Sequence, residues 1–280
     1  MGYQITNDEI MDYRTCLIAE ELSDGTVRKY VRDVQAFRTW LGERALDKAA
    51  AAGWKEHLMS KGYAAVTVNA MLSSLNRFFG FMGWQECRVK FLRIQRRIFR
   101  NLDRELSREE YEKLLATAQD LGNTRLKLLM ETICATGIRV SEVKYITVEA
   151  VRKGRADIFL KGKIRTIILP GKLCVKLRTY MKKRKITAGE IFLTRNGKSL
   201  GRCQIWKEMK ELCRKAGILP SKVFPHNLRH LFARTFYKVY KDVVRLADVL
   251  GHSSIDTTRI YLITTGETYA QQMNRLGLVS

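Results

Sequence analysis

Between Arg88 and Arg100 the chain carries six basic residues, Arg88, Lys90, Arg93, Arg96, Arg97 and Arg100, and no acidic one. A run of like charges repels itself and stays solvated, so it separates folded segments. The chain has 280 residues, a comfortable length for one domain on each side of such a run. The expected division is a unit over residues 1–92, a basic linker over 93–106 and a second unit over 107–280. A linker of this kind is placed to follow a phosphate backbone. Arg93, Arg96, Arg97 and Arg100 are therefore candidate DNA contacts.

The charge balance of the whole chain points the same way. Lys and Arg number 51 against 28 Asp and Glu, a net charge of +23, concentrated in runs. Such a surplus favours a polyanionic partner, and nucleic acid comes before a membrane surface because no basic amphipathic helix stands alone at a terminus. No run of about 18 apolar residues exists to cross a bilayer, and the first residues, MGYQITNDEIMDY, are polar and acidic. A cytoplasmic location is expected. The six cysteines form no CxxC pair and have no histidine at metal-ligand spacing, which fits reduced, packed thiols and no zinc site.

Helical signals fill the first unit. Thr6 and Glu9 form a capping-box pattern ahead of an apolar stretch ending near Glu21. Val27, Tyr30, Val31, Val34, Phe37 and Leu41 recur at steps of three and four, the period of an amphipathic helix. A third helix follows Asp47 and stops near Gly62, and a fourth spans about Thr67 to Met82. Four helices joined by short turns make a small bundle. In the second unit Ser107 and Glu110 repeat the capping-box pattern, and helices are expected over Asn123 to Ala135, from about Val140, over Lys172 to Lys185 and over Arg202 to Ala216. The segment ADIFLKGKIRTIILP reads as a β-hairpin turning at Lys161-Gly162-Lys163, and Ile191 to Leu193 as a short strand. The predicted class is mainly α with a small β-hairpin.

Three of the four histidines lie between Pro225 and Tyr261, at His226, His230 and His252. His226 and Arg229, three residues apart, share one helical face and suit an anion. A metal-independent phosphodiester exchange needs cations for the charge on the non-bridging oxygens, an acid for the leaving oxygen and a nucleophile held in line. The chain offers candidates for each role, and no acidic cluster of the sort that binds paired magnesium ions stands near them.

Four segments, ATGIRVSEV (Ala135 to Val143), LKGKIR (Leu160 to Arg165), PHNLRHLFA (Pro225 to Ala233) and LGHSSIDTTRIY (Leu250 to Tyr261), resemble the signature boxes of the tyrosine recombinases, the family of phage integrases and Xer-type enzymes. They follow the family's order and spacing. TVNAMLSSLNRFFGF, residues 67–81, resembles the helix of its SAM-like core-binding domain, so the resemblance spans nearly the whole chain. It implies a four-helix core-binding domain, a mixed α/β catalytic domain and a site-specific recombinase working through a 3′-phosphotyrosyl link.

Box by box, the resemblance makes Arg139 and Arg229 the phosphate clamps, His226 the acceptor of the tyrosine proton or a phosphate ligand, His252 a donor to the phosphate and Tyr261 the nucleophile. Lys161 matches the hairpin general acid. The usual Gly-Lys-Gly-x-Lys is shortened here to Leu-Lys-Gly-Lys, so Lys163 competes with it. Lys163 and Arg165 are otherwise candidate DNA contacts. Glu142 is a supporting partner, and His230, turned about 100° from Arg229 on an ideal helix, is assigned to packing. A free phenol with a pKa of about 10 is a poor nucleophile, but two arginines and a histidine stabilise its anion. Tyr261 is preferred over Tyr237, Tyr240 and Tyr269 because it stands nine residues after His252. The implied partners are duplex DNA with specific sites and, through a tail over Thr264 to Leu278, a homotetramer; no cofactor or metal is implied. The alternatives are a type IB topoisomerase-like activity and a catalytically silent DNA-binding protein of the same fold.

Overall fold

The computed structural model describes residues 3–94, 104–160, 163–252, 254–259, 261 and 274–275, with the side chains of residues 160 and 163 left aside. The chain divides into two compact units, Met1–Arg96 and Arg97–Ser280.

Unit 1 is a four-helix bundle of α1 (Asn7–Ala19), α2 (Asp24–Leu41), α3 (Lys48–Ser60) and α4 (Ala65–Phe81). Thr6 closes a capping box with Glu9 at the start of α1, two reciprocal bonds that satisfy otherwise orphaned helix donors. The apolar stripe of α2 buries Val27, Val34, Phe37 and Leu41 against Leu72, Leu75, Phe78 and Phe79 of α4. Each fully buried phenylalanine contributes about 1.5–3 kcal/mol. Inside this core Asp33 is held by Lys29 at 2.6 Å, by Ser74 at 2.9 Å and by Arg32 at 3.1 Å.

The chain leaves the bundle along a path fixed by two asparagines of α4. Asn76 Nδ2 donates to the Val89 carbonyl at 2.9 Å while its Oδ1 accepts from the Val89 amide at 2.8 Å. Asn69 repeats the pair with Leu92 at 2.9 and 2.8 Å. Arg93 follows, exposed; Arg96, Arg97 and Arg100 lie outside the described residues.

In unit 2, α5 (Arg108–Asp120) opens with a capping box between Ser107 and Glu110, and α6 (Thr124–Thr136) packs against it. The helix expected from Val140 is instead a six-residue 3₁₀ turn, Val140–Tyr145, followed by α7 (Val148–Lys153). Glu142 closes this turn: its carboxylate accepts from the Arg139 amide at 2.8 Å while its own amide donates to the Arg139 carbonyl at 2.8 Å, an i to i+3 bond of the 3₁₀ type. Strands β1 (Arg155–Leu160) and β2 (Lys163–Ile168) form the expected antiparallel hairpin. Ala156 and Ile158 face the core with Ile167, while Phe159, Ile164 and Ile168 lie on the exposed face.

Helices α8 (Gly171–Arg184) and α9 (Arg202–Lys215) follow. Between them the strand expected at Ile191 to Leu193 does not form. Glu190 and Leu193 make only isolated bridges, to Thr147 and Ser199, because turns at Gly189 and Gly197 keep the segment too short for a ladder. The C-terminal stretch is helical in pieces: α10 (Pro225–Tyr240), α11 (Val243–Leu250) and α12 (Ile255–Arg259). Leu228 of α10 joins the main core, and Leu246 and Leu250 of α11 pack with Ala233 and Tyr261 in a smaller cluster. Of the expected tail only Asn274 and Arg275 are described.

Candidate active site

The site gathers at the junction of α6, the 3₁₀ turn, β2, α10 and α11. Pro225, free of an amide that would need a partner, starts α10. Its helical period turns His226 outward, half-buries His230 and drives Arg229 inward, where that side chain is 2% exposed. A guanidinium so deep survives only if its donors are matched. Its Nη1 donates to the Gly137 carbonyl, and its Nη2 donates to the Leu250 carbonyl at 2.9 Å and meets His252 Nε2 at 2.8 Å.

Two glycines make room for these bonds. Gly137 ends α6 with φ +65°, and a Cβ there would lie 2.5 Å from Phe232 and 2.9 Å from Leu250. Gly251 ends α11 with φ +63°, and a Cβ would lie 2.5 Å from the Arg165 side chain. Both positions need the left-handed conformation and the missing side chain together.

Arg139 stands at the start of the 3₁₀ turn, 42% exposed, and pairs with Glu142 at 3.0 Å. Glu142 itself is 2% exposed and lies 3.5 Å from Arg165, whose Nη1 donates to the same Leu250 carbonyl that Arg229 uses. Arg165 is thus held inside the cluster, 14% exposed. Burial, with Arg229 and Arg139 nearby, lowers its pKa to about 10 against the support of Glu142. Arg229 is also lowered by burial, with the Tyr261 hydroxyl working in the opposite sense.

His252 is the switchable member. A guanidinium has no acceptor, so Nε2 must accept from Arg229, and the ring proton sits on Nδ1, which donates to Thr258 Oγ1 at 2.8 Å. Burial first, then Arg229, Arg139, Arg165 and His226, push its pKa down to about 4. The imidazole is neutral at pH 7 in the free protein.

Tyr261 closes the site, 3% exposed. Its ring stacks on His252 at 5.7 Å with planes 10° apart, meets His230 edge-on at 4.5 Å and lies 6.3 Å from His226. Arg139, His226, Arg229, His252 and Tyr261 are therefore brought together. Lys161 lies outside the described residues, and of Lys163 only the backbone at the start of β2 is described. Three neighbours went unrecognised in the sequence reading: Arg165 as a member of the cluster, Thr258 as the partner of His252, and His230, whose packing is against Tyr261 itself. Strand alternation carried a signal for the first. Arg165 shares the inward parity of Ile167 and stands opposite Ile158, both buried.

Two guanidiniums, two imidazoles and a phenol thus stand together in a cluster with surplus positive charge, a setting that suits an anion. Comparison with known proteins gives the family. The sequence profile of the phage integrase family matches residues 104–267, and that of the phage integrase N-terminal SAM-like domain matches residues 10–86. The chain belongs to the phage integrase family. Tyrosine recombinase XerA of Pyrococcus furiosus is 28% identical over 98% of this chain and 96% of its own length. Tyrosine recombinase XerD of Staphylococcus saprophyticus is 30% identical over 86% of this chain and 88% of its own. Among solved structures, a lambda integrase dimer bound to a COC′ core site superposes with a TM-score of 0.72 at 17% identity, covering 92% of this chain and 77% of that one. The Tn1549 transposon integrase in complex with transposon right end DNA gives 0.72 at 17% identity over 96% and 99%. The protein is an enzyme, a site-specific tyrosine recombinase acting on DNA, built as a SAM-like helical domain followed by a catalytic domain.

Proposed function

We propose that Tyr261 is the nucleophile and that Arg139, Arg229, His226 and His252 hold the scissile phosphate. The Tyr261 oxygen bonds to phosphorus as the bond to the 5′ oxygen breaks. The phenolic proton passes to His226, and the departing 5′ oxygen takes a proton from the hairpin lysine, Lys161 with Lys163 as its competitor. The product is a 3′-phosphotyrosyl link and a free 5′ hydroxyl. Attack by a partner strand's 5′ hydroxyl reverses the step, and the bond energy stays in the protein link, so neither nucleotide hydrolysis nor a metal is required by the scheme.

The observation that carries this reading is the convergence of three imidazoles on the buried Tyr261 ring beside Arg229. Guanidiniums already held in place stabilise the charge on the non-bridging oxygens of the pentacoordinate transition state without reorganising. His252 gains a role as the anion arrives. A phosphate oxygen offsets the surrounding arginines, raises the imidazole's pKa and turns Nε2 from an acceptor of Arg229 into a donor to the phosphate. Because Tyr261 is covered in the free protein, DNA engagement must uncover it before attack.

Function in the cell follows: recombination in the cytoplasm between two specific sites, by a tetramer whose C-terminal tails, Thr264 to Leu278, pack on neighbouring protomers. Arg93, Arg96, Arg97 and Arg100 follow the DNA backbone. The test is incubation with nicked suicide duplexes carrying candidate sites, followed by mapping of the peptide bound to DNA. Attachment at Tyr261, lost in Tyr261→Phe, is expected; attachment at another residue would falsify the assignment.

A further inference from the structure

Among the described residues of the site, the half-buried Arg165 has no role in the scheme above. Arg165 was expected as a DNA contact. Its guanidinium instead joins two parts of the site: Nη1 donates to the Leu250 carbonyl, and Nη2 lies 3.5 Å from Glu142. At 3.5 Å that second contact is an ion pair rather than a hydrogen bond, and Nε and Nη2 make no hydrogen bond. Leu250 is the last residue of α11, two positions before His252. Its carbonyl accepts from Arg165 and from Arg229 together, and Arg229 also holds His252 Nε2. One continuous path therefore runs from Arg139 through Glu142, Arg165, the Leu250 carbonyl and Arg229 to His252 and Thr258.

We propose that Arg165 is a positioning residue of the recombinase: it anchors the C-terminus of α11 to the inner face of the hairpin and so sets where His252 and the Arg229 fork stand. Three observations support this over a simple packing role. A guanidinium buried beside two others costs desolvation and repulsion, and its depressed pKa reports that cost. The backbone is shaped for it, since a side chain at Gly251 would occupy the place of its Cδ and Nη1. Its position at the C-terminus of α11 satisfies a terminal carbonyl and suits the negative end of that helix dipole. Lysine keeps the charge and three donors but lacks the planar fork whose separate nitrogens face the Leu250 carbonyl and Glu142.

This inference rests on His252 contacting the phosphate, and the experiment separates the two ideas. The rate of Tyr261–DNA link formation on nicked duplex and the DNA affinity are measured for Arg165→Met, Arg165→Lys, His252→Ala and the double variants. The expected result is a rate loss of about 10- to 100-fold for Arg165→Met, with DNA affinity changed by less than about threefold, and with most of that loss absent when His252 is already alanine, as coupled neighbours require. Arg165→Lys recovers part of the rate. In the free protein, ¹⁵N spectra of the histidine rings show His252 as the Nδ1-protonated tautomer in the wild type and a redistributed ring proton in Arg165→Met or, should that variant not fold, in Arg165→Lys. Equal rate losses in both backgrounds, an unchanged His252 ring, or a defect seen mainly in DNA affinity overturns the proposal. Loss of the Tyr261 assignment itself would show instead as a DNA link surviving in Tyr261→Phe.

Discussion

Each unit of the chain buries a carboxylate beside two cations, and the two arrangements end differently. In the bundle, Asp33 is 2% exposed, but its partners Lys29 and Arg32 are 37% and 74% exposed, so water solvates the positive charge. In the catalytic unit Glu142 is equally buried; of its two partners Arg139 is 42% exposed but Arg165 only 14%, and Arg229 in the same cluster is 2% exposed. One carboxylate there faces more positive charge than it neutralises. The first arrangement fastens α2 to α4. The second stores an unmet demand for an anion, which a stability argument alone does not explain, because buried excess charge is costly.

The largest effect expected from this contrast is on stability. Glu142→Ala leaves buried arginines without their counter-charge and should destabilise the catalytic unit by about 3–5 kcal/mol. Asp33→Ala leaves cations that water already reaches, and should cost the bundle about 1–3 kcal/mol through Ser74 and Lys29. Urea unfolding with a fluorescence probe in each unit measures both, and equal losses would erase the distinction drawn here.

A smaller effect is expected from pH. His252 has a pKa of about 4 folded against 6.5 for an unperturbed imidazole. Between those values the unfolded chain binds a proton that the folded chain does not, so the stability of the catalytic unit rises from pH 4 to pH 6.5 and is flat above. The measurement is urea unfolding across that window, in wild type and His252→Asn; the variant should show a shallower slope. The smallest effect belongs to the bundle's outer cation: Arg32→Ala should change stability by less than about 0.5 kcal/mol, because an exposed ion pair is worth little.

These differences also separate what was legible in the sequence from what was not. The helices of both units were readable because caps such as Thr6 with Glu9 and Ser107 with Glu110 act locally, and because apolar periods declare the buried face. The 3₁₀ turn at Val140 was not, since Glu142 within it is held by Arg165 from a distant strand. Arg139, His226, Arg229, His252 and Tyr261 stood out through their spacing within four short boxes. Arg165 did not, because a basic residue in so basic a chain reads as surface unless strand parity is weighed against charge. Thr258 and His230 were hidden for a related reason: Thr258 meets His252 only across the turn between α11 and α12, and His230 of α10 meets Tyr261 only in the folded unit.

The two asparagine clamps on α4 carry one more implication. Asn69 and Asn76 grip only main-chain atoms of Leu92 and Val89, so they are indifferent to which side chains those positions carry. Substitutions at the exposed positions Lys90, Phe91 and Arg93 can change charge or bulk without touching these bonds, whereas Val89 and Leu92 also pack on the bundle core. The heading of the polypeptide as far as Leu92 is therefore written in a helix that precedes it.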